Sequence, residues 1–215
     1  NLSCFSDEPG ESFQTSTSPK YGEDKYSKVA ESVMVAALFT YAGPEYVAMC
    51  KKKGDEAGAA KAQAAIDQMK KNIMEYGWDG EWFLRAYDDF GKKMGSHECE
   101  EGKIFIEPQG FAVMGGCGKE TGADLKALES VDKYLNSTHG LVLNQPAFTK
   151  YYIEYGEIST YPGGYKENAG IFCHNNAWII CAEAFVGHGD KAFEYYSKIA
   201  PAYREEKYSD LHRTE

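Results

Sequence analysis

A polar, glycine-rich stretch that leads directly into an apolar run constrains this chain more than any other feature. Between Glu157 and Asn176 the sequence mixes one proline and three glycines with tyrosines, carboxylates, a lysine, asparagines and a histidine. Proline and glycine set the backbone where a loop bends, and loops on a rigid scaffold commonly carry binding groups. Such a segment cannot form a core element, so the surrounding helices have to support it.

The end of this stretch predicts an anion site. The apolar run after Asn176 predicts a buried helix over 175–186, for which Asn175 or Asn176 can serve as N-cap. His174 would then lie beside the helix N-terminus, where free N–H groups and the helix dipole favour an anion. The functional interpretation is a polar ligand pocket with a phosphate-sized anion at its floor. The alternative is an ordinary loop whose histidine bonds a backbone carbonyl.

Composition limits the class of partner. The chain has 215 residues, enough for one domain with a sizeable core, and a formal net charge of −10, which argues against nucleic acid or an anionic membrane as partner. Its 16 tyrosines supply the aromatic faces and hydroxyl groups that sugar-binding clefts need, although tyrosine-rich cores are also common. No run is expected to reach the length of a membrane span, and no secretory signal is expected.

The chain ends and the cysteines lead to two further expectations. The sequence opens on Asn1 rather than methionine and closes on a polar segment, so we expect a fragment of a longer protein, truncated at both ends. The cysteines form no Cys-x-x-Cys pair and most have apolar neighbours, which indicates a reducing, cytoplasmic compartment. They are Cys4, Cys50, Cys99, Cys117, Cys173 and Cys181.

Hydrophobic periodicity predicts a mainly α fold with a small β-hairpin insert. Helices are predicted from Ser27 to about Tyr41, from Asp55 to about Tyr76, and over 123–135, 175–186 and 190–199; Gly43-Pro44 is expected to interrupt the first, and Gly54 to join the first two as an antiparallel hairpin. Runs 82–87 and 104–106 predict the strands. Repeated helix, irregular loop and helix is how an α/α barrel builds a site at one mouth, although an irregular bundle would give the same pattern.

Three other residues are weaker candidates for a site. Trp78 and Asp79 belong to Trp-Asp-Gly-Glu-Trp, which suits stacking on a sugar face with hydrogen bonds to its hydroxyls; equally, Asp79 can start a turn and both tryptophans can be core. Gln109 can cap the next helix or reach the pocket. His97 is a weak metal candidate because spaced partner ligands are missing. Nucleotide-loop, zinc-protease and hydrolase-elbow motifs are absent from the sequence.

Four motifs in order carry a resemblance to a known family. They resemble the cellobiose/chitobiose phosphorylase family, which are inverting glycoside phosphorylases, and they lie at 1–15, 78–88, 102–110 and 161–176. The resemblance implies part of an (α/α)6 barrel catalytic domain over residues 1–215 and a homodimer. It implies that inorganic phosphate, as co-substrate without any cofactor or metal, attacks a β-linked disaccharide. Cellobiose is the substrate expected first, giving α-glucose 1-phosphate and glucose.

The resemblance also implies residue roles. His174 corresponds to the phosphate-binding histidine, and Glu157, Tyr161 and Lys166 to residues that hold the acceptor sugar. Trp78, Asp79 and Gln109 fall in family motifs without an assigned contact. The general-acid aspartate is expected upstream of Asn1 and a phosphate-site loop beyond Glu215, so no catalytic residue is expected here and the isolated fragment is expected to be inactive.

The sequence departs from the family pattern at one position and is compatible with two alternative functions. Gly163 stands where the family often has a second proline, which could loosen the loop without removing a contact. A glycoside hydrolase with the same barrel would use water in place of phosphate. A non-catalytic carbohydrate-binding fragment is the other alternative.

Overall fold

The computed structural model describes residues 31–88, 91–152 and 155–209, and this part of the chain is mainly helical, as predicted. The predicted helix start at Ser27 and the loop before it lie outside the described residues. The helices are α1 (Val33–Lys52), α2 (Glu56–Tyr76), α3 (Ile106–Met114), α4 (Ala123–Leu135), α5 (Cys173–Phe185), α6 (Gly189–Ile199) and α7 (Pro201–Tyr208). The short strands are β1 (Glu31–Ser32), β2 (Ala86–Tyr87), β3 (Lys93–Met94), β4 (Ile104–Phe105), β5 (Asn136–Ser137), β6 (Gly140–Leu141) and β7 (Asn144–Gln145).

The first two helices form the predicted hairpin, but α1 is longer than expected. The Asp55 side chain caps α2 by accepting a hydrogen bond from Gly58 N at 2.8 Å. Helix α1 continues through Gly43 and Pro44 to Lys52, so the expected interruption is wrong. Proline removes a helix hydrogen bond, and close packing offsets this loss, because a Cβ added at Gly43 would lie only 2.6 Å from Ile66 Cδ1.

The later helices pack around a shared core. Helix α3 lies between α1 and α5, and Gly110 allows that approach, since a Cβ there would lie 3.0 Å from the Trp178 carbonyl oxygen. The predictions for α4 and α6 are confirmed within a residue, α5 begins two residues earlier than predicted, and α7 was not predicted. The core between α3, α4, α5 and α6 contains Ile106, Leu128, Val131, Leu135, Leu141, Leu143, Ile179 and Tyr195.

The predicted pairing of the strands is wrong. Strand β2 pairs antiparallel with β1 and β3, whereas β4 pairs antiparallel with β7, with Ile104 opposite Gln145. Most of the run from Trp82 is not strand, because the Gln109 carboxamide accepts from Phe83 N and donates to Phe83 O at 2.9 and 2.8 Å. A buried side chain therefore satisfies the backbone that a neighbouring strand would otherwise satisfy.

Helix α1 also differs from the expectation about membrane spans. Over Val33–Lys52 it has the length and the mean hydropathy, 1.3, of a helix that can cross a membrane. The expectation that no run reaches this length is therefore wrong. Within the described residues α1 packs on α2 and α3, and its buried positions include Ala37, Thr40 and Cys50.

Candidate functional site

The structure brings the three predicted sugar-binding residues together in the polar loop, residues 156–170. Glu157 belongs to a 3₁₀ turn, Gly156–Ser159, one turn before Tyr161. The Tyr161 hydroxyl donates a short hydrogen bond to Glu157 Oε1. Lys166 Nζ lies 4.7 Å from the centroid of the Tyr161 ring. Glu157 and Lys166 are exposed, so a carboxylate, a phenol and an ammonium group face solvent side by side.

Mutual contacts reinforce the ordinary charge states of this cluster. The bond to Glu157 raises the pKa of Tyr161 further above neutral, so the phenol is protonated at neutral pH, as an ordinary tyrosine is. The neighbouring Tyr161 oxygen, with Glu157 beyond it, raises the pKa of Lys166, so the ammonium carries its ordinary charge at neutral pH. The cluster therefore offers hydrogen-bond donors from Lys166 and acceptors from Glu157. Sugar hydroxyls, which both donate and accept, match this set.

Tyr165 joins the cluster and was not singled out from the sequence. Its ring centroid lies 6.1 Å from that of Tyr161 in an edge-on arrangement, and 5.8 Å from Lys166 Nζ. The residue is 56% exposed, so most of an aromatic ring is open beside the polar groups. The sequence indicates Tyr165 only through its place next to Lys166 in a glycine-rich turn. Adjacency in sequence does not determine which way an aromatic ring points.

An open cleft borders the same loop. It has a volume of about 510 Å³ and lies between residues 147–151 and 159–163. Tyr161 and Pro162 line one side, and Thr149 and Lys150 line the other. The cluster thus stands at the edge of a space that can admit a sugar unit.

His174 lies in the first turn of α5, as the anion interpretation requires, but the predicted caps are wrong. The helix begins at Cys173 with Phe172 as N-cap, and no side chain caps it. Asn175 and Asn176 are buried inside the first turn. Asn176 is used by the core: its Oδ1 accepts from Leu141 N at 2.7 Å and its Nδ2 donates to Leu141 O at 2.9 Å.

The surroundings of His174 favour a ligand rather than a backbone partner. Its ring is exposed and packs against Phe172 and, edge-on, against Trp178, with centroid distances of 5.6 and 5.2 Å. The first N–H groups of a helix have no intrahelical partner, and here no side chain replaces one. Within the described residues, Asn175 Oδ1 is buried without a hydrogen-bond partner. The exposed imidazole and the uncapped helix end together suit an anion.

One segment supports both parts of the candidate site. Leu143 N donates to Gly170 O at 2.9 Å, which fixes the end of the polar loop. Two residues earlier, Leu141 exchanges hydrogen bonds with Asn176 in the first turn of α5. The polar loop that holds Glu157, Tyr161 and Lys166 and the helix turn that holds His174 therefore both attach to residues 141–143.

The structure places the weaker candidates in structural contacts. Trp78 is half-buried and packs edge-on against Phe83 with centroids 5.0 Å apart. The Asp79 side chain is 3% exposed and accepts from Ser96 Oγ at 3.0 Å and from His97 N at 2.6 Å. Gln109 is completely buried and bonds the backbone of Phe83 and Phe105, so it caps no helix.

The metal candidate is accounted for by a protein contact. His97 Nδ1 lies 2.7 Å from Asp79 Oδ2. Across residues 31–88, 91–152 and 155–209, no group of three or more histidine, cysteine or acidic side chains is placed to hold a metal ion.

Comparison with known proteins identifies the family. The profile of the Glycosyl hydrolase 94 superfamily, catalytic domain, matches residues 17–215. Solabiose phosphorylase of Paenibacillus borealis is 33% identical over 172 residues, which are 80% of this chain and 22% of that protein. N,N'-diacetylchitobiose phosphorylase of Vibrio furnissii is 34% identical over 173 residues, with the same two shares.

A more distant relative has a third substrate in its name. Cellobionic acid phosphorylase of Neurospora crassa is 28% identical over 154 residues, which are 71% of this chain and 19% of that protein. The chain thus spans about a fifth of the length of these relatives. Because the superfamily profile covers nearly all of the sequence, the chain belongs to the Glycosyl hydrolase 94 superfamily, within its catalytic domain.

Proposed function

We propose that the full-length protein is an inverting phosphorylase that transfers a sugar from a β-linked disaccharide to inorganic phosphate. The observation that carries this proposal is the convergence of Glu157, Tyr161 and Lys166 in one exposed cluster. The named relatives support the same reaction class, since all three are named as phosphorylases.

The polar loop would hold the acceptor sugar, which leaves when the disaccharide is cleaved. Lys166 donates to its hydroxyls, Glu157 accepts from them, and the Tyr161 and Tyr165 rings provide apolar faces at the side. These contacts fix the acceptor sugar relative to the glycosidic bond. Holding both reactants in a productive geometry removes much of the entropic barrier of a reaction between two substrates.

His174 and the first turn of α5 would hold phosphate. A phosphate oxygen forms a bond to the anomeric carbon while the glycosidic C–O bond breaks, and a carboxylic acid protonates the leaving oxygen. No residue of this chain is assigned as that acid. The products are an α-sugar 1-phosphate and the free acceptor sugar. An anionic nucleophile needs no general base, so the protein's task is to hold it in line against its own charge.

Cellobiose is the first disaccharide we propose to test. The relatives act, according to their names, on solabiose, N,N'-diacetylchitobiose and cellobionic acid, so a single substrate does not define the group. In the described cluster only Lys166 carries a positive charge, and Glu157 lies beside it. This balance favours a neutral acceptor sugar such as glucose over an acidic one.

The direct experiment is to incubate the full-length protein with each candidate disaccharide, with and without inorganic phosphate, and to measure sugar 1-phosphate and free sugar. We expect sugar 1-phosphate only when phosphate is present. Equal release of free sugar without phosphate would identify a hydrolase instead. No product from cellobiose, solabiose, diacetylchitobiose or cellobionic acid would favour a carbohydrate-binding role and reject the proposal.

Three properties of the whole protein are part of the same proposal. The described helices would contribute to an (α/α)6 barrel, consistent with Glu157, Tyr161 and Lys166 lying between α4 and α5 and His174 lying at the start of α5. A cytoplasmic location is supported by the free state of Cys50, Cys99, Cys117, Cys173 and Cys181. Size-exclusion chromatography with light scattering on the full-length protein would test the proposed homodimer.

A further inference from the structure

The polar loop contains two non-glycine residues in the left-handed region of backbone space. Lys166 has φ of 47° and Ala169 has φ of 60°. For residues with a side chain this conformation costs on the order of 1–2 kcal/mol each. Such residues persist only where their surroundings fix them. Lys166 is one of the proposed sugar-binding residues, so what fixes this turn also places its ammonium group.

Asn168, which lies between Lys166 and Ala169, anchors the turn through its side chain. It is completely buried. Its Nδ2 donates to Tyr161 O at 2.7 Å and to Phe148 O at 2.9 Å, and its Oδ1 accepts from Phe148 N at 2.7 Å. One carboxamide therefore ties the start of the turn to a neighbouring segment of the scaffold.

Backbone contacts complete the same anchor. Gly164 N donates to Asn168 O at 2.7 Å, and Asn168 N donates to Tyr165 O at 3.1 Å. On the far side, Ala169 N donates to the buried Asn144 Oδ1 at 2.7 Å. Asn144 belongs to β7, so the turn is attached to the ribbon of β4 and β7 that adjoins α3.

The Lys166 backbone is also closely packed against Gly170. Gly170 N donates to Lys166 O at 3.1 Å, and a Cβ added at Gly170 would lie 2.2 Å from that oxygen. Any side chain at residue 170 would therefore displace the Lys166 backbone.

We propose that Asn168 is a positioning residue for the acceptor sugar: it does not touch the sugar but sets the placement of Tyr161 relative to Lys166. Asn168 bonds the Tyr161 carbonyl and follows Lys166 by two residues. It therefore links the Tyr161 ring to the Lys166 ammonium group, which lies 4.7 Å from the ring centroid. This inference rests on the proposed phosphorylase function. It adds a residue that affects binding of the acceptor sugar but not of sugar 1-phosphate.

The test uses Asn168→Asp in the full-length protein. The substitution keeps the shape but replaces the group that donates to two carbonyl oxygens with an oxygen that repels them. Initial rates are measured in the synthetic direction, with sugar 1-phosphate and the acceptor sugar varied separately. We expect the KM for the acceptor to rise about tenfold or more, as loss of buried hydrogen bonds typically gives, with the KM for sugar 1-phosphate within about twofold.

Gln109→Glu is the matched control. Gln109 is an equally buried carboxamide, but its side chain bonds the backbone of Phe83 and Phe105 rather than that of the polar loop. We expect it to lower the unfolding temperature without separating the two KM values. Gly170→Ala, which displaces Lys166 directly, is expected to raise the acceptor KM selectively, as Asn168→Asp does.

Two outcomes separate this inference from the proposed function. An inactive wild-type protein in both directions overturns the phosphorylase proposal itself. An active wild type in which Asn168→Asp changes both KM values equally, or changes only the unfolding temperature, overturns the positioning role. If Asn168→Asp does not fold, Asn168→Ser removes a donor without placing a charge in the turn, and the same selective rise in acceptor KM is required of it.

Discussion

Exposure separates the residues of the candidate site into two kinds. Glu157, Lys166 and His174 are exposed and carry charge or a titratable ring. Asn168 and Asn176 are completely buried and bond backbone groups. Leaving a buried carboxamide without its hydrogen-bond partners lowers the free energy of unfolding by about 1–3 kcal/mol. The buried asparagines therefore hold the exposed residues in place. The sequence placed all of these residues in one polar stretch but could not say which side chains point inward.

The histidine gives the residue-scale prediction. His174→Ala in the full-length protein removes the exposed imidazole beside the uncapped start of α5. We expect the KM for phosphate to rise about tenfold or more, since a hydrogen bond to a charged group contributes roughly 1.5–3 kcal/mol. The KM for the disaccharide should change far less. Phosphorolysis rates at varied phosphate and varied disaccharide give both values.

Glu157→Gln is the matched comparison for His174→Ala. It removes the Glu157 charge from the proposed sugar-binding cluster, so it should raise the KM for the disaccharide more than that for phosphate. Equal effects of His174→Ala on both KM values would contradict an anion role for His174.

At the scale of elements, a glycine allows the close contact between α1 and α2. Gly43 faces the buried Ile66, whose exposed fraction is 1%. This is why a helix containing proline continues for a further two turns: the apolar contacts that its second half makes, through Val47 and Cys50, are lost if the helix stops. Local propensity predicted an interruption here, and tertiary packing overrode it.

This contact gives the element-scale prediction. Gly43→Ala places a methyl group 2.6 Å from Ile66 Cδ1 and should destabilise the fold by about 1–3 kcal/mol, as overpacking does. Thermal or urea unfolding measures the change. Gly189→Ala is the control, because that position in α6 has open space around it and alanine favours helix. In the double variant Gly43→Ala, Ile66→Val, a smaller loss than the sum of the single changes is expected; strict additivity would refute the contact.

Across the whole molecule, a charged network joins α4 to α6. Glu194 on α6 bonds Lys191 and Lys198, each at 2.8 Å. Lys191 also contacts Asp132 on α4 at 3.3 Å, and Lys198 bonds Asn136 Oδ1 at 2.7 Å. The Lys191 and Lys198 ammonium groups lower the pKa of Glu194 from 4.5 to about 2. Because the Glu194 side chain is 41% exposed, solvent screening reduces what this network contributes to stability.

The network gives a pH prediction for the whole fold. A carboxylate whose folded pKa is lowered stabilises the protein above its unfolded pKa and loses that contribution as the pH falls through the folded value. For Glu194 the loss should run from pH about 4.5 to about 2. We expect Glu194→Gln to unfold at a lower temperature than wild type at pH 7, with the difference shrinking as the pH approaches 2.

The control for the pH series is Glu129→Gln, at an exposed position of α4. It should leave the unfolding temperature nearly unchanged across the same range. A Glu194→Gln difference that stays constant between pH 7 and pH 2 would exclude the ion pairs as its source.

The sequence by itself determined the helical class, the bounds of α2, α4 and α6, and the stretch that holds the candidate site. These features depend on local periodicity, capping and backbone chemistry, which short segments carry in themselves. Only the tertiary structure decided that β4 pairs with β7, that Asn176 serves the core rather than a cap, and that Tyr165 stands beside Lys166. Each of these depends on contacts between residues far apart in sequence or on the orientation of one ring, and local pattern fixes neither.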